Sequence, residues 1–113
     1  MKEITPYTFD AKTVIIVGAD AQNAYVRKFD GKNFAQIDAT IVATHIMLEV
    51  HDLGLGTTWV GYFDDEKLKS LIPQIKDYDV VGIFPIGYPA KDVQIAPMHY
   101  KSKTKEELVT EFS

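Results

Sequence analysis

The chain has 113 residues, of which 46% are hydrophobic and 25% charged, a balance that fits one compact domain and excludes a disordered tail. A net charge of −4 argues against a general nucleic-acid surface, which needs a clustered positive field, and the lack of cysteine excludes a disulfide framework, a thiolate nucleophile and a thiolate-bound metal. No apolar run has the length of a signal peptide or a bilayer span, so the chain reads as soluble and cytoplasmic.

In chain order, Thr13-Val14-Ile15-Ile16-Val17-Gly18 is a β-branched run ending in glycine and predicts a buried strand. A mostly polar stretch, Ala19 to Lys32, follows with a turn at Asp30-Gly31, and Asn33 with Gln36 three positions on resembles a capping box. Phe34 to Leu53 is helical in pattern. Its polar residues Asp38, His45, Glu49 and Asp52 fall on one narrow stripe, and nearly all else is apolar or small, including Ile37, Ala39, Ile41, Val42, Leu48 and Leu53. Such a helix must be covered on more than one side, and in a chain this short the second cover is another subunit.

Gly54 is placed to end the helix in a left-handed cap, and Thr57 to Val60 reads as a short extended segment. Asp64 is placed to cap a helix carrying Leu68, Leu71 and Ile72, which Pro73 stops. Val80 to Ile86 predicts a second apolar strand, in which Pro85 implies an edge, a bulge or a strand end. An irregular stretch runs to Pro97, and Thr104 with Glu107 signals a last capped helix containing Leu108, Val109 and Phe112.

Several familiar chemistries find no support. Gly54-Leu55-Gly56 leaves a helix rather than entering one, and Trp59 stands where a dinucleotide fingerprint needs glycine, so helix termination is the simpler reading. His45, His51 and His99 lack metal-ligand spacing. Ser70, Ser102 and Ser113 have no base beside them, so any catalysis borrows its reactive group from a cofactor. Lys101, Lys103 and Lys105 alternate and in an extended segment converge on one side, as a phosphate requires, although a solvated lysine patch has the same pattern. Trp59, Tyr62, Phe63, Phe84 and Tyr88 are suited to lining a flat pocket or to filling a core.

Three ordered blocks resemble the FMN-dependent nitroreductase family: Gly54-Leu55-Gly56-Thr57-Thr58-Trp59-Val60-Gly61-Tyr62-Phe63-Asp64, then Pro85-Ile86-Gly87-Tyr88-Pro89, then Pro97-Met98-His99-Tyr100-Lys101-Ser102-Lys103. With Thr5-Pro6-Tyr7 and the first strand, the resemblance covers essentially the whole chain. It implies an α+β fold of nitroreductase type over residues 1–113, a central sheet flanked by a long buried helix, and an intertwined homodimer binding FMN at its interface. The implied reaction is hydride transfer from NAD(P)H through flavin N5 to a nitroaromatic, quinone or similar acceptor. Carried over by position, Gly61 and Tyr62 lie beside the flavin ring, Pro85, Ile86 and Gly87 supply backbone against it, and Lys101 and Lys103 hold its phosphate. The family's N-terminal helix with an arginine-serine-arginine type motif, and its asparagine-containing loop, have no counterpart here. The expectation is thus a truncated domain, open between a shortened reading frame, a fragment and a natural short relative. The competing expectation is a non-catalytic dimeric remnant acting as a scaffold or ligand-binding module.

Overall fold

The computed structural model describes residues 3–7, 11–88 and Leu108. Three strands form one sheet: β1 (Thr13–Ala19), β2 (Gly56–Thr57) and β3 (Asp79–Gly87), in the order β1-β3-β2 with both pairings antiparallel. Two α-helices, α1 (Ala35–Asp52) and α2 (Asp65–Leu71), cover its two faces, and a 3-10 turn at Pro73–Ile75 leads into β3.

The strand sequences are apolar at successive positions because both faces of the sheet are covered. Val17, Ala19 and Phe84 pack with Ala35, Ala39 and Ala43 of α1, joined by Ile15 and Ile86. On the opposite face Ile83 packs with Ile4, Val60 and Leu68, joined by Val14, Ile16, Ile72 and Ile75. Phe84, Leu68 and Ile83 are fully buried, each contributing roughly 1.5–3 kcal/mol relative to an exposed side chain. β1 is nevertheless an edge strand among the described residues. It is apolar on both faces without having a neighbour on both sides.

α1 lies against the sheet through small residues. Ala35, Ala39, Ala43 and Val50 recur at helical spacing and are buried, which brings the helix axis close to β1 and β3. The second cover anticipated for this helix is not supplied within one protomer. Ile41, Val42, Leu48 and Leu53 are all more than half exposed, so its outer flank is apolar and uncovered.

The ends of α1 contain one correction and one agreement. Asn33 Oδ1 accepts from the Ala35 amide at 2.8 Å, but Gln36 does not reach back to complete a capping box. Its side-chain amide donates instead to the Asp79 carboxylate, tying the first turn of α1 to the start of β3. Asn33 also uses its own amide on the Ala21 carbonyl, at 2.8 Å, which holds the β1–α1 connection against the helix. At the other end Gly54 takes φ 78°, with its amide bonded to the His51 carbonyl and the Leu55 amide to the Val50 carbonyl. Those paired bonds are the Schellman arrangement expected of a glycine at this position. Asp64 caps α2 as anticipated, its carboxylate accepting from the Lys67 amide at 3.1 Å.

The polar stretch between β1 and α1 is better ordered than its composition suggests. A bridge at Val26 and Asn33, with the Arg27 amide on the Lys32 carbonyl and the Phe34 amide on the Tyr25 carbonyl, folds it into a short hairpin around the Asp30-Gly31 turn.

Of the edge, bulge or strand end that Pro85 implied, the edge does not hold, because β3 is the central strand; the proline lies two residues before its end. The proline is tolerated because the ladder is broken where its N–H would be needed. Ile83 exchanges both backbone bonds with Val60, so by alternation Pro85 also turns its backbone toward the β2 side. There the pairing stops at Thr57↔Ile86 and resumes only at Val60↔Ile83. The last predicted helix lies outside the described residues except for Leu108, which is helical and exposed. Among the described residues no helix is long and apolar enough to cross a membrane.

Candidate functional site

Between β2 and β3 the ladder is interrupted across Pro85. Thr58 and Trp59 cross the gap, and Trp59 closes it from one side. The indole N–H donates to the Val81 carbonyl at 3.0 Å, and its ring lies 5.2 Å from the Phe84 ring. Val81 offers that carbonyl because it is the extra residue of a bulge: Val17 pairs with Gly82 and Gly18 with Val80. The indole lies directly on Gly82. A Cβ there would stand 2.4 Å from Trp59 Nε1, so only glycine permits this packing. Sequence reasoning did not single out Gly82; a glycine inside an apolar strand run, with one tryptophan in the chain, was the signal available.

Beyond Trp59 the chain passes through Val60, Gly61 and Tyr62, and these three with Tyr7, Thr58 and Trp59 line an open cleft of about 250 Å³. Its far wall is tied down by the N-terminal segment. The Thr5 hydroxyl donates to the Tyr62 carbonyl at 2.6 Å, and the Asp64 amide donates to the Ile4 carbonyl at 2.8 Å. Ile4 and Thr5 are buried, so this short segment is packed into the domain, and Tyr7 of it lines the cleft.

Of the residues anticipated for a flavin site, Gly61 and Tyr62 come together in this cleft. Pro85, Ile86 and Gly87 lie further along β3, where Ile86 pairs with Thr57 and Gly87 with Gly56. Gly87 lies four positions beyond Ile83, which pairs with Val60 beside Gly61, a span of roughly 13 Å at strand rise. A Cβ added to Gly61 or to Gly87 would meet nothing within 4 Å. The space beside both glycines is open, in contrast with that at Gly82, which is filled by Trp59. Between them, the Thr57 Oγ1 is buried without a hydrogen-bond partner. Lys101 and Lys103 lie outside the described residues.

The aromatic residues divide between two roles. Phe84 is core and Phe63 packs beside Leu68, whereas Tyr62 and Tyr88 are exposed and Trp59 belongs to both core and cleft. No group of histidine and acidic side chains among the described residues is placed to hold a metal ion. His45 uses its Nδ1 on the Ile41 carbonyl one turn back, at 2.8 Å.

The described residues form a three-layered α+β arrangement, with α1 over one face of the sheet and α2 over the other. The sequence profile described as the Nitroreductase family matches residues 3–88, and the chain belongs to that family. Among solved structures, it is similar to a nitroreductase family protein of Clostridium difficile 630, with a TM-score of 0.83 and 28% identity, over 99% of this chain and 65% of that one. It is also similar to a nitroreductase family protein of Clostridium novyi NT, with a TM-score of 0.64 and 28% identity, over 73% of this chain and 45% of the other. The chain thus spans less than two thirds of the length of either protein. No curated protein matches it.

Proposed function

We propose that the protein is a flavin-dependent oxidoreductase of nitroreductase type, using FMN to pass reducing equivalents from NAD(P)H to a nitroaromatic, quinone or similar acceptor. The observation that carries this reading is the broken β2–β3 ladder, with bare glycine backbone at both ends of the gap and a proline that needs no partner in it. FMN bound there supplies the hydride chemistry that none of this chain's own side chains can perform. Gly61 and Tyr62 approach the ring at one end, and Pro85, Ile86 and Gly87 present backbone at the other. Lys101 and Lys103 neutralise the phosphate, since two converging ammonium groups match a dianion. Among the described residues, the Thr57 hydroxyl is a buried side-chain group in this region without a hydrogen-bond partner.

A homodimer belongs to the same proposal. The apolar outer flank of α1, with Ile41, Val42, Leu48 and Leu53 exposed, supports a second copy as its cover. The test is purification with added FMN, followed by desalting and a visible spectrum. The expected outcome is a yellow protein, and Lys101→Ala with Lys103→Ala should lower FMN retention at least tenfold, in line with two lost charge-assisted contacts worth roughly 1.5–3 kcal/mol each. A colourless dimer indifferent to both substitutions would instead establish the scaffold reading.

A further inference from the structure

We propose that the bond between Asp30 and Gly31 is a latent modification site, where aspartate converts spontaneously to isoaspartate, and that Arg27 sets the rate by holding the Asp30 carboxylate and the Gly31 amide out of reaction. The inference is independent of the oxidoreductase reading.

The sequence contains one Asp-Gly pair, at positions 30 and 31, and no Asn-Gly. It sits at the turn of the exposed hairpin, where Gly31 takes φ 71° and a Cβ would meet nothing within 4 Å. Isoaspartate forms when the following amide nitrogen attacks the side-chain carboxyl carbon. The new bond from nitrogen to Cγ closes a five-membered succinimide, and one water leaves, carrying the amide proton and the carboxyl hydroxyl. One water then opens the ring. Attack at Cγ restores aspartate, whereas attack at the α-carbonyl breaks its bond to nitrogen and leaves the chain running through Cβ and Cγ. The product is an isomer, so the sequence of steps needs no oxidant or co-reactant. Glycine presents the least hindered amide for the closure, because it carries no Cβ beside the nitrogen.

The contacts around the turn oppose that closure. The Arg27 guanidinium donates from Nε to Oδ1 of Asp30 at 2.9 Å and from Nη2 to Oδ2 at 2.5 Å, a two-point grip that fixes the carboxylate plane. With the Lys32 amide, which donates to Oδ1 at 3.3 Å, it favours the ionised carboxylate, a form with no hydroxyl to lose. The nucleophile is engaged as well, since the Gly31 N–H donates to the Arg27 carbonyl at 2.8 Å. Both reacting groups are therefore bonded to one residue, which holds the carboxylate through its side chain and the amide through its backbone. Arg27 is itself placed by the Phe34 ring, whose centroid lies 5.5 Å from its guanidinium carbon. Because the ion pair is exposed, the protection is partial. Conversion reaches beyond the turn. It adds one carbon to the backbone inside the ring closed by the Arg27 amide and the Lys32 carbonyl, next to Asn33, whose Oδ1 receives the Ala35 amide at the start of α1.

The test is to age the purified chain at physiological temperature and neutral pH, label it with protein isoaspartyl methyltransferase and map the label by peptide mass spectrometry. Methyl acceptance should grow with time and map to the peptide holding Asp30 and Gly31. Arg27→Gln should accumulate it roughly twofold to fivefold faster, the worth of one exposed ion pair expressed as a rate. Arg27→Lys, which keeps the charge but not the two-point grip, should fall between. In urea, where the contacts of the fold are gone, wild type and Arg27→Gln should react at one common rate, faster than folded wild type. Hydrogen exchange at the amides of residues 27 and 34, which close the hairpin, separates the guard from simple opening of the turn, and both amides should stay protected in Arg27→Gln. Label at another aspartate, equal rates in the two folded proteins, or protection lost in step with the faster rate overturns the proposal.

Discussion

The two sides of β3 are built differently. Toward β1 the ladder runs from Thr13↔Ile86 to Ala19↔Asp79 with a single bulge. Toward β2 there are two pairs, then a gap across Pro85, then the lone bridge Val60↔Ile83. A continuous ladder satisfies its backbone groups and leaves nothing for a ligand, whereas an interrupted one exposes backbone that something else must cover. In this protein the covering is done by one indole over Gly82 at one point and is left open at Gly61 and Gly87. Structure is concentrated on the β1 side and the candidate site on the β2 side.

The most severe way to break the comparison is to damage both sides at once. Phe84 is fully buried, packs with Ala39 and Ala43 of α1 and touches Trp59. Phe84→Ala should cost about 3–5 kcal/mol, measured as a fall in the urea midpoint, and should leave neither side intact. Gly82→Ala is more selective. Its methyl group must displace the Trp59 ring and the bond to Val81, at a cost of about 1–3 kcal/mol, while the β1 ladder away from the Val17↔Gly82 pair should keep its register. Trp59 emission should shift to the red, and β1 amides should keep their hydrogen-exchange protection. Loss of protection along β1 in that variant would show that the two sides are not separable.

The β1 side was far more legible in the sequence than the β2 side. Thr13 to Gly18 and Val80 to Ile86 stand out as apolar runs, each one residue or less short of its strand at either end, α1 as a long helical pattern, and Gly54 and Asp64 as caps, because each signal is local and its physics acts within a few residues. Pro85 implied an edge, a bulge or a strand end. It lies in the central strand, and what excuses it is a gap made by residues 58 and 59, more than twenty positions earlier. Thr5 carries no local signal at all. Its importance comes from a bond to Tyr62, 57 residues away, and only the fold brings the two together. Gly61 and Gly87 are recognisable as glycines, but whether they accommodate a packed neighbour, like Gly82, or bare space depends on tertiary contacts.

A smaller effect sharpens the assignment of the β2 side. Thr57 Oγ1 is buried without a partner in the protein alone. Thr57→Val keeps the shape and removes the unpaired hydroxyl, so without FMN the variant should be unchanged or up to about 1 kcal/mol more stable. With FMN the sign should reverse if the hydroxyl is taken up by the cofactor, seen as a smaller FMN-induced rise in melting temperature than wild type shows. Equal ligand-induced shifts in the two proteins would detach Thr57 from the site.

The smallest effect lies away from both sides, in the hairpin between β1 and α1, and provides a control. The Arg27 guanidinium donates to both oxygens of Asp30, at 2.9 and 2.5 Å, and with the Lys32 amide it holds the Asp30 carboxyl below its usual range. A depressed folded-state pKa means the contribution is complete above the titration of an ordinary aspartate, roughly pH 4, and disappears as pH falls through the lower folded value. Asp30→Asn should therefore be slightly less stable than wild type near neutrality and converge with it in acid. Because the pair is exposed, salt should narrow the difference as well. Trp59 emission, reporting from the other end of the sheet, should be the same in both proteins across this range. A parallel change in emission would mean that the hairpin and the interrupted side of β3 are coupled through α1, whose first turn Gln36 fastens to Asp79.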